Sequence, residues 1–175
     1  MYQVAKKAGV KMTDVQNVTI WGNHSATQFP DVGSASVRVR GGGLKAAAQV
    51  INDDEWIRGD FITTVQQRGK AVIEARKLSS AMSAANAVAD HLRTWLVTGT
   101  EPGQTVPMGV VSDGSYGVEK GLIFSFPLHI DVPGEYKIAK SFKIDEFAQQ
   151  KLKITEEELK SEKVDADAAL KSKSG

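Results

Sequence analysis

His24 is the side chain of this sequence best suited to moving a proton, and its neighbours say how it would be presented. Val18, Thr19 and Ile20 favour extended backbone, Trp21 closes that run, and Gly22-Asn23 breaks it. His24 is therefore expected in a loop, just past the end of a short strand. A rigid element that carries a titratable group into a loop is a common way for a fold to present chemistry. Imidazole, with an unperturbed pKa of about 6.5, can give and take protons near neutrality. A lone loop histidine more commonly serves as a hydrogen-bonded structural residue, because acid–base work also needs a positioned partner.

Other chemistry is less well supported. Ser25 beside His24 makes a poor nucleophile–base pair, since adjacent residues rarely form that hydrogen bond with a third group orienting the base. His91, between Val88 and Trp95 on a helix, reads as structural, and His129 as solvent-facing on a strand. Neither has metal-ligand spacing, His-x-x-x-His is absent and there is no cysteine, so no metal site is expected. Gly41-Gly42-Gly43 follows the strand-like Val37–Arg40 but lacks the spacing of Gly-x-Gly-x-x-Gly. It also lacks the acidic residue about 20 positions on that a dinucleotide cradle carries, and it reads as a turn.

The string Trp21-Gly22-Asn23-His24-Ser25-Ala26-Thr27-Gln28-Phe29-Pro30-Asp31-Val32 resembles the active-site histidine segment of cytosolic-type malate dehydrogenases, in the lactate/malate dehydrogenase family. The similarity continues through Thr63–Gly69, Ala75–Ala85 and Gly109–Gly114, in the family's order and spacing, over nearly the whole chain. It implies an α+β fold, the family's C-terminal catalytic domain, with an antiparallel sheet packed with long helices. It implies hydride transfer between NAD and the malate/oxaloacetate pair, with His24 as proton acceptor and donor, and a homodimer for the full-length family. Ser80 falls where the family's turn lies by substrate and nicotinamide, so a substrate-binding role and a plain helix N-cap both stay open for it.

The same resemblance marks what is missing. The family carries an amino-terminal Rossmann half, and a helix beginning Leu-Asp-x-Asn-Arg whose Asp orients the histidine and whose Arg binds a substrate carboxylate. This sequence starts inside that helix, which suggests an artificial start at Met1. Arg38, Arg40, Arg58, Arg68, Arg76 and Arg93 stand outside the family's substrate-binding contexts. No cofactor-binding residue is assigned, and the polypeptide alone is expected to be catalytically silent.

The elements that must position His24 follow from pattern. Tyr2–Ala8 reads as a helix with Val4 and Ala8 on one face, basic Lys6 and Lys7 in its last turn and Gly9 at C′. Val37–Arg40 alternates as a half-exposed strand, and Leu44–Ile51 reads as a short helix. Asp53 or Asp54 is a plausible N-cap for a helix from Glu55 to Leu78, in which Gly59 and Gly69 each cost about 1 kcal/mol and a break near Gly69 is expected. Ser79 or Ser80 should cap a helix ending near Val97, whose stripe of Met82, Ala85, Val88, Ala89, Leu92, Trp95 and Leu96 reads as core. Strands follow over Thr105–Ser112, Leu122–Ile130 and Tyr136–Ile138, with Leu122, Phe124, Phe126, Leu128 and Ile130 on one face. Ile144–Leu152 and Thr155–Leu170 read as two closing helices, the second opened by a Thr155/Glu158 capping box, with 171–175 frayed.

At 175 residues the chain fits one domain, 1–175, able to bury its own core. A net charge of +1 argues against nucleic acid or an anionic membrane as main partner. No apolar run approaches about 20 residues and no signal-peptide core is seen, so the cytoplasm is the expected compartment. Three functions remain open: the catalytic-histidine half of a malate dehydrogenase, a non-enzymatic association module, and a hydrolase using His24 with Ser25.

Overall fold

Period-two and helical patterning resolve into short strands alternating with helices in the computed structural model, which describes residues 1–172. In chain order come α1 (Tyr2–Ala8), β1 (Val15–Gln16), β2 (Thr19–Trp21), β3 (Phe29–Asp31), β4 (Ser36–Val39) and β5 (Gly43–Ala46). Five helices follow, α2 (Ala47–Ile51), α3 (Asp54–Arg58), α4 (Asp60–Gln66), α5 (Arg68–Arg76) and α6 (Ala81–Arg93). The chain closes with β6 (Val106–Val111), β7 (Ile123–His129), β8 (Lys137–Ile138) and α7 (Glu146–Ser172). All pairings are antiparallel, in sheets ordered β1-β4-β5, β2-β3 and β6-β7-β8. Gly22 exchanges backbone hydrogen bonds with Ser125 at 3.2 and 3.1 Å, which ties the β2-β3 hairpin to β7.

The apolar face of β7 is the heart of the core. Leu122, Phe124, Phe126, Leu128 and Ile130 are all buried, as their alternation requires. Trp21, fully buried at the end of β2, meets Tyr116 edge-on at 4.8 Å and Phe126 and Phe142 at 6.3 Å. Its indole Nε1 donates to Asp31 Oδ2 at 3.1 Å, so the large ring is buried without an orphaned donor. Burying each such side chain is worth about 1.5–3 kcal/mol.

Several helices differ from the pattern-based expectation. Gly9 ends α1 in the left-handed region (φ 68°), as expected, and Asp53 caps α3 by accepting the Trp56 N–H at 3.0 Å. Residues 43–46, however, extend β4's hairpin as β5, and only Ala47–Ile51 is helical: pairing with β4 overrides local helix propensity. The stretch from 55 to 78 breaks at Gly59 and at Gln67 rather than at Gly69, which sits inside α5. The last helix is continuous through Ile154 and Thr155, because Ala148, Leu152, Thr155 and Leu159 form one inward stripe that no Gly or Pro interrupts. Residues 173–175, part of the expected frayed end, lie outside the described residues. No helix among the described residues is long and apolar enough to cross a membrane.

The α6 stripe also corrects an expectation. Met82 is 82 % exposed, and Val88, Leu92 and Leu96 are exposed with it. The amphipathic pattern is real, but among the described residues only Trp95 of the stripe packs against the core, and these four side chains stay uncovered. Ile73, Leu78 and Val97, before and after α6 in the chain, are exposed as well.

One close approach fixes how α7 meets the β2 hairpin. Gly22 has φ +87°, and a Cβ there would collide with Cγ2 and Oγ1 of Thr155 on α7. Gly22→Ala therefore combines a left-handed penalty with overpacking and should lower stability by about 2–4 kcal/mol, read from the urea unfolding midpoint. An unchanged midpoint would show that α7 does not lie against this turn.

Candidate functional site

The loop between β2 and β3, residues 22–28, bends into a turn closed by the Gln28 N–H donating to the Ser25 carbonyl at 3.3 Å, and the side chains of Asn23, Ser25 and Thr27 each find a partner. Asn23, Ser25 and Thr27 are half-buried and turn toward α7, while His24 and Ala26 are exposed. Asn23 N–H donates to Thr155 Oγ1 at 2.8 Å. One oxygen of Glu158, Oε2, accepts from Ser25 Oγ at 2.5 Å, Thr27 Oγ1 at 2.5 Å and Asn23 Nδ2 at 3.1 Å. Asn23 Nδ2 also donates to Glu162 Oε1 at 2.8 Å. Within the loop, Thr27 N–H donates to Ser25 Oγ at 3.0 Å, and at its far end Gln66 of α4 donates to the Gln28 carbonyl at 2.8 Å.

Each hydroxyl has one proton, which constrains the network. Ser25 and Thr27 give theirs to the carboxylate, the stronger acceptor. Thr27 Oγ1 also donates toward Thr155 Oγ1 at 2.9 Å, so its one proton is shared between Thr155 and the carboxylate, while Thr155 Oγ1 accepts from Asn23 as well. Hydrogen bonds from Ser25 and Thr27, with a smaller contribution from Asn23, hold the Glu158 carboxyl below its ordinary value against partial burial. Asp31, which receives the Trp21 and Gly33 N–H groups, moves the other way: burial outweighs its donors and raises it.

His24 itself projects outward and, among the described residues, makes no hydrogen bond or ion pair. Ser25 points to the opposite side and is engaged by Glu158, so the hydrolase pairing lacks its first requirement. Ser80 occupies the N-cap position of α6, half-buried, but its hydroxyl makes no capping bond and does not join the 22–28 network. His91 is partly desolvated, which lowers its pKa, and His129 is only half-exposed, with Nδ1 at 3.1 Å from the Gln104 carbonyl. Arg58 is structural: it bonds Asp54 and Asp145 at 2.9 Å and lies over the Phe147 ring. Gly41 and Gly42 fill the turn between β4 and β5 and Gly43 opens β5, so the triple glycine is a hairpin, not a phosphate cradle.

Thr155 and Glu158 are the site residues that pattern reading missed. Their Thr-x-x-Glu spacing reads as a capping box, and in the folded chain it does cap backbone and side-chain donors. Those donors belong to the distant loop rather than to the helix's own first turn.

The lactate/malate dehydrogenase, alpha/beta C-terminal domain family matches residues 1–169. The chain belongs to this family. It is 53 % identical over 168 residues to the cytoplasmic malate dehydrogenase of Medicago sativa, covering 96 % of this chain and 50 % of that protein. With the cytoplasmic malate dehydrogenase of Gallus gallus it shares 51 % identity over 172 residues, covering 97 % of this chain and 50 % of the relative. Among solved structures, the Trichomonas vaginalis lactate dehydrogenase in complex with NADH and oxamate superposes with a TM-score of 0.91 at 32 % identity, over 98 % of this chain and 51 % of that one. The malate dehydrogenase of Naegleria fowleri gives a TM-score of 0.82 at 40 % identity, covering 93 % of this chain and 47 % of that one. The chain thus spans about half the length of the relatives it matches.

In this dehydrogenase domain the Glu158 contacts make stability depend on pH. A carboxyl depressed in the folded state contributes fully above its unfolded pKa, and the contribution is lost as pH falls through the lower folded value. Wild type should exceed Glu158→Gln by about 1 kcal/mol at pH 7, discounted for partial exposure. In urea titrations that difference should hold down to about pH 5 and collapse toward pH 3. A difference that persists undiminished at pH 3 would contradict the ionised-acceptor geometry.

Proposed function

We propose that this chain is the substrate-binding and catalytic-histidine half of an NAD-dependent malate dehydrogenase, working on malate and oxaloacetate in the cytoplasm. The observation that carries this is the presentation of His24: an exposed imidazole on a loop whose neighbouring Asn23, Ser25 and Thr27 side chains are bonded to α7. The likeness to cytoplasmic malate dehydrogenases supports the substrate pair and the compartment.

In that role His24 takes the proton of the malate hydroxyl, or returns it to the oxaloacetate carbonyl oxygen. The described residues do not fit a dinucleotide: the only triple glycine closes a hairpin, and no strand–glycine–helix cradle is formed among them. NAD, the hydride partner, is therefore assigned to the half of the family protein that lies outside this chain. So are the partner that orients His24 and the arginines that clamp the substrate carboxylates, because Arg58 is already engaged elsewhere. Ser80 is assigned to the edge of the substrate pocket. The exposed apolar surface of α5 and α6 supports docking against further protein, and homodimerisation is the family's form of it. The same surface favours a second reading, in which the chain is a non-enzymatic association module.

NADH oxidation with oxaloacetate separates the two. The chain alone should be silent. Mixed with the NAD-binding half of a cytoplasmic malate dehydrogenase it should turn over, and His24→Ala should lower that rate by about 10²-fold or more. Activity of the chain alone that His24→Ala abolishes would overturn the silence. No activity after completion, together with self-association in sedimentation velocity, would favour the association module.

A further inference from the structure

We infer that Glu158, with Thr155 one turn before it, is the positioning residue of the His24 loop: the carboxyl-terminal helix sets where the imidazole points. Three donors from alternate residues, Asn23, Ser25 and Thr27, converge on Glu158 Oε2. His24 stands between two residues tied to α7, Asn23 and Ser25, at the start of the turn closed by the Gln28 N–H and the Ser25 carbonyl, so holding its two neighbours inward fixes the backbone that carries the exposed imidazole. His24 is thus aimed without any contact of its own. The deduction rests on the proposed role of His24, and it adds a part of the chain more than a hundred positions away to the working site.

Glu158 is itself held from behind. Ala148, Leu152 and Thr155 bury the inner face of α7. On its flank, Lys160 pairs with Glu156 at 3.0 Å, Glu157 at 3.1 Å and Glu119 at 3.4 Å, while Glu156 accepts the Glu119 N–H at 2.9 Å. The helix is therefore fastened to the β6–β7 connection on one side and holds the His24 loop on the other. A carboxylate suits this job because it accepts several donors and carries no donor to compete with the two hydroxyls. Glutamine keeps one acceptor oxygen at the same reach, whereas aspartate is a methylene too short to meet Ser25 and Thr27.

The test uses the full 175-residue chain and the ring signals of His24 by carbon–proton correlation, with backbone amide exchange at Thr27 as a second readout. Wild type should give one sharp His24 ring signal. Glu158→Ala and Glu158→Asp should broaden or split it and speed Thr27 exchange by about tenfold or more, while Phe124 and Phe126 amides stay as they were. Glu158→Gln should recover most of the wild-type signal. Identical His24 signals in wild type and Glu158→Ala would overturn the positioning role, and so would a Gln variant no better than Ala. If Glu158→Ala loses the sheet amides as well, Ser25→Ala with Thr27→Val removes the same bonds from the loop side and must release the ring in the same way; an unmoved ring there also overturns the proposal. In the chain completed with an NAD-binding half, Glu158→Ala should lower kcat with little change in KM. A completed wild type that does not turn over, with the ring still obeying Glu158, refutes the catalytic role of His24 and leaves the positioning intact.

Discussion

A threonine hydroxyl inside a helix decides much of this structure. Thr155 is fully buried in the middle of α7, where a polar side chain is tolerated only if its bonds are made. They are made by the His24 loop: Asn23 N–H gives one, and the Thr27 hydroxyl shares another. The contact is possible only because residue 22 is glycine, both for its positive φ and for the missing Cβ against Thr155. With Gly22 seated there, its backbone pairs with Ser125 on β7 and Trp21 falls into the aromatic core. Loop, sheet and helix are thus registered through one small area.

Stiffness and exposure are divided along the chain. The 22–28 loop sits on the packed face of the domain, tied to α4, β7 and α7. Residues 67–98 carry a long run of exposed apolar side chains instead, and residues 161–171 of α7 are exposed too. The chain spans about half the length of the relatives it matches.

How much of this could be read from residues alone depended on whether one neighbour or many decided the outcome. The alternation of β7 has one solution when one face is buried, so Leu122 through Ile130 were legible, as were the Gly9 stop and the Asp53 cap. His24 stood out by type and by its place after Trp21. Thr155 and Glu158 did not, because Thr-x-x-Glu looks the same whether it caps its own helix or a loop some 130 positions away. Unbroken 3.6-residue spacing from Ala148 through Leu159 was the available signal that the two closing helices are one. The α6 stripe showed the complementary failure: an amphipathic pattern says that a face seeks cover, and not whether the same chain provides it. At 43–46, pairing with β4 decided the state, and such partners are invisible to a local window.

The histidine loop is built within this chain, held by its bonds to α7. Amide exchange of Asn23 in the isolated chain tests it most directly, since that N–H has a single acceptor, Thr155 Oγ1. Protection comparable to the Ser125 amide, which is held by Gly22, is the predicted result. Exchange at the rate of an open loop, with protection gained only when an NAD-binding half is added, would show that the site is assembled by its partner and not by α7.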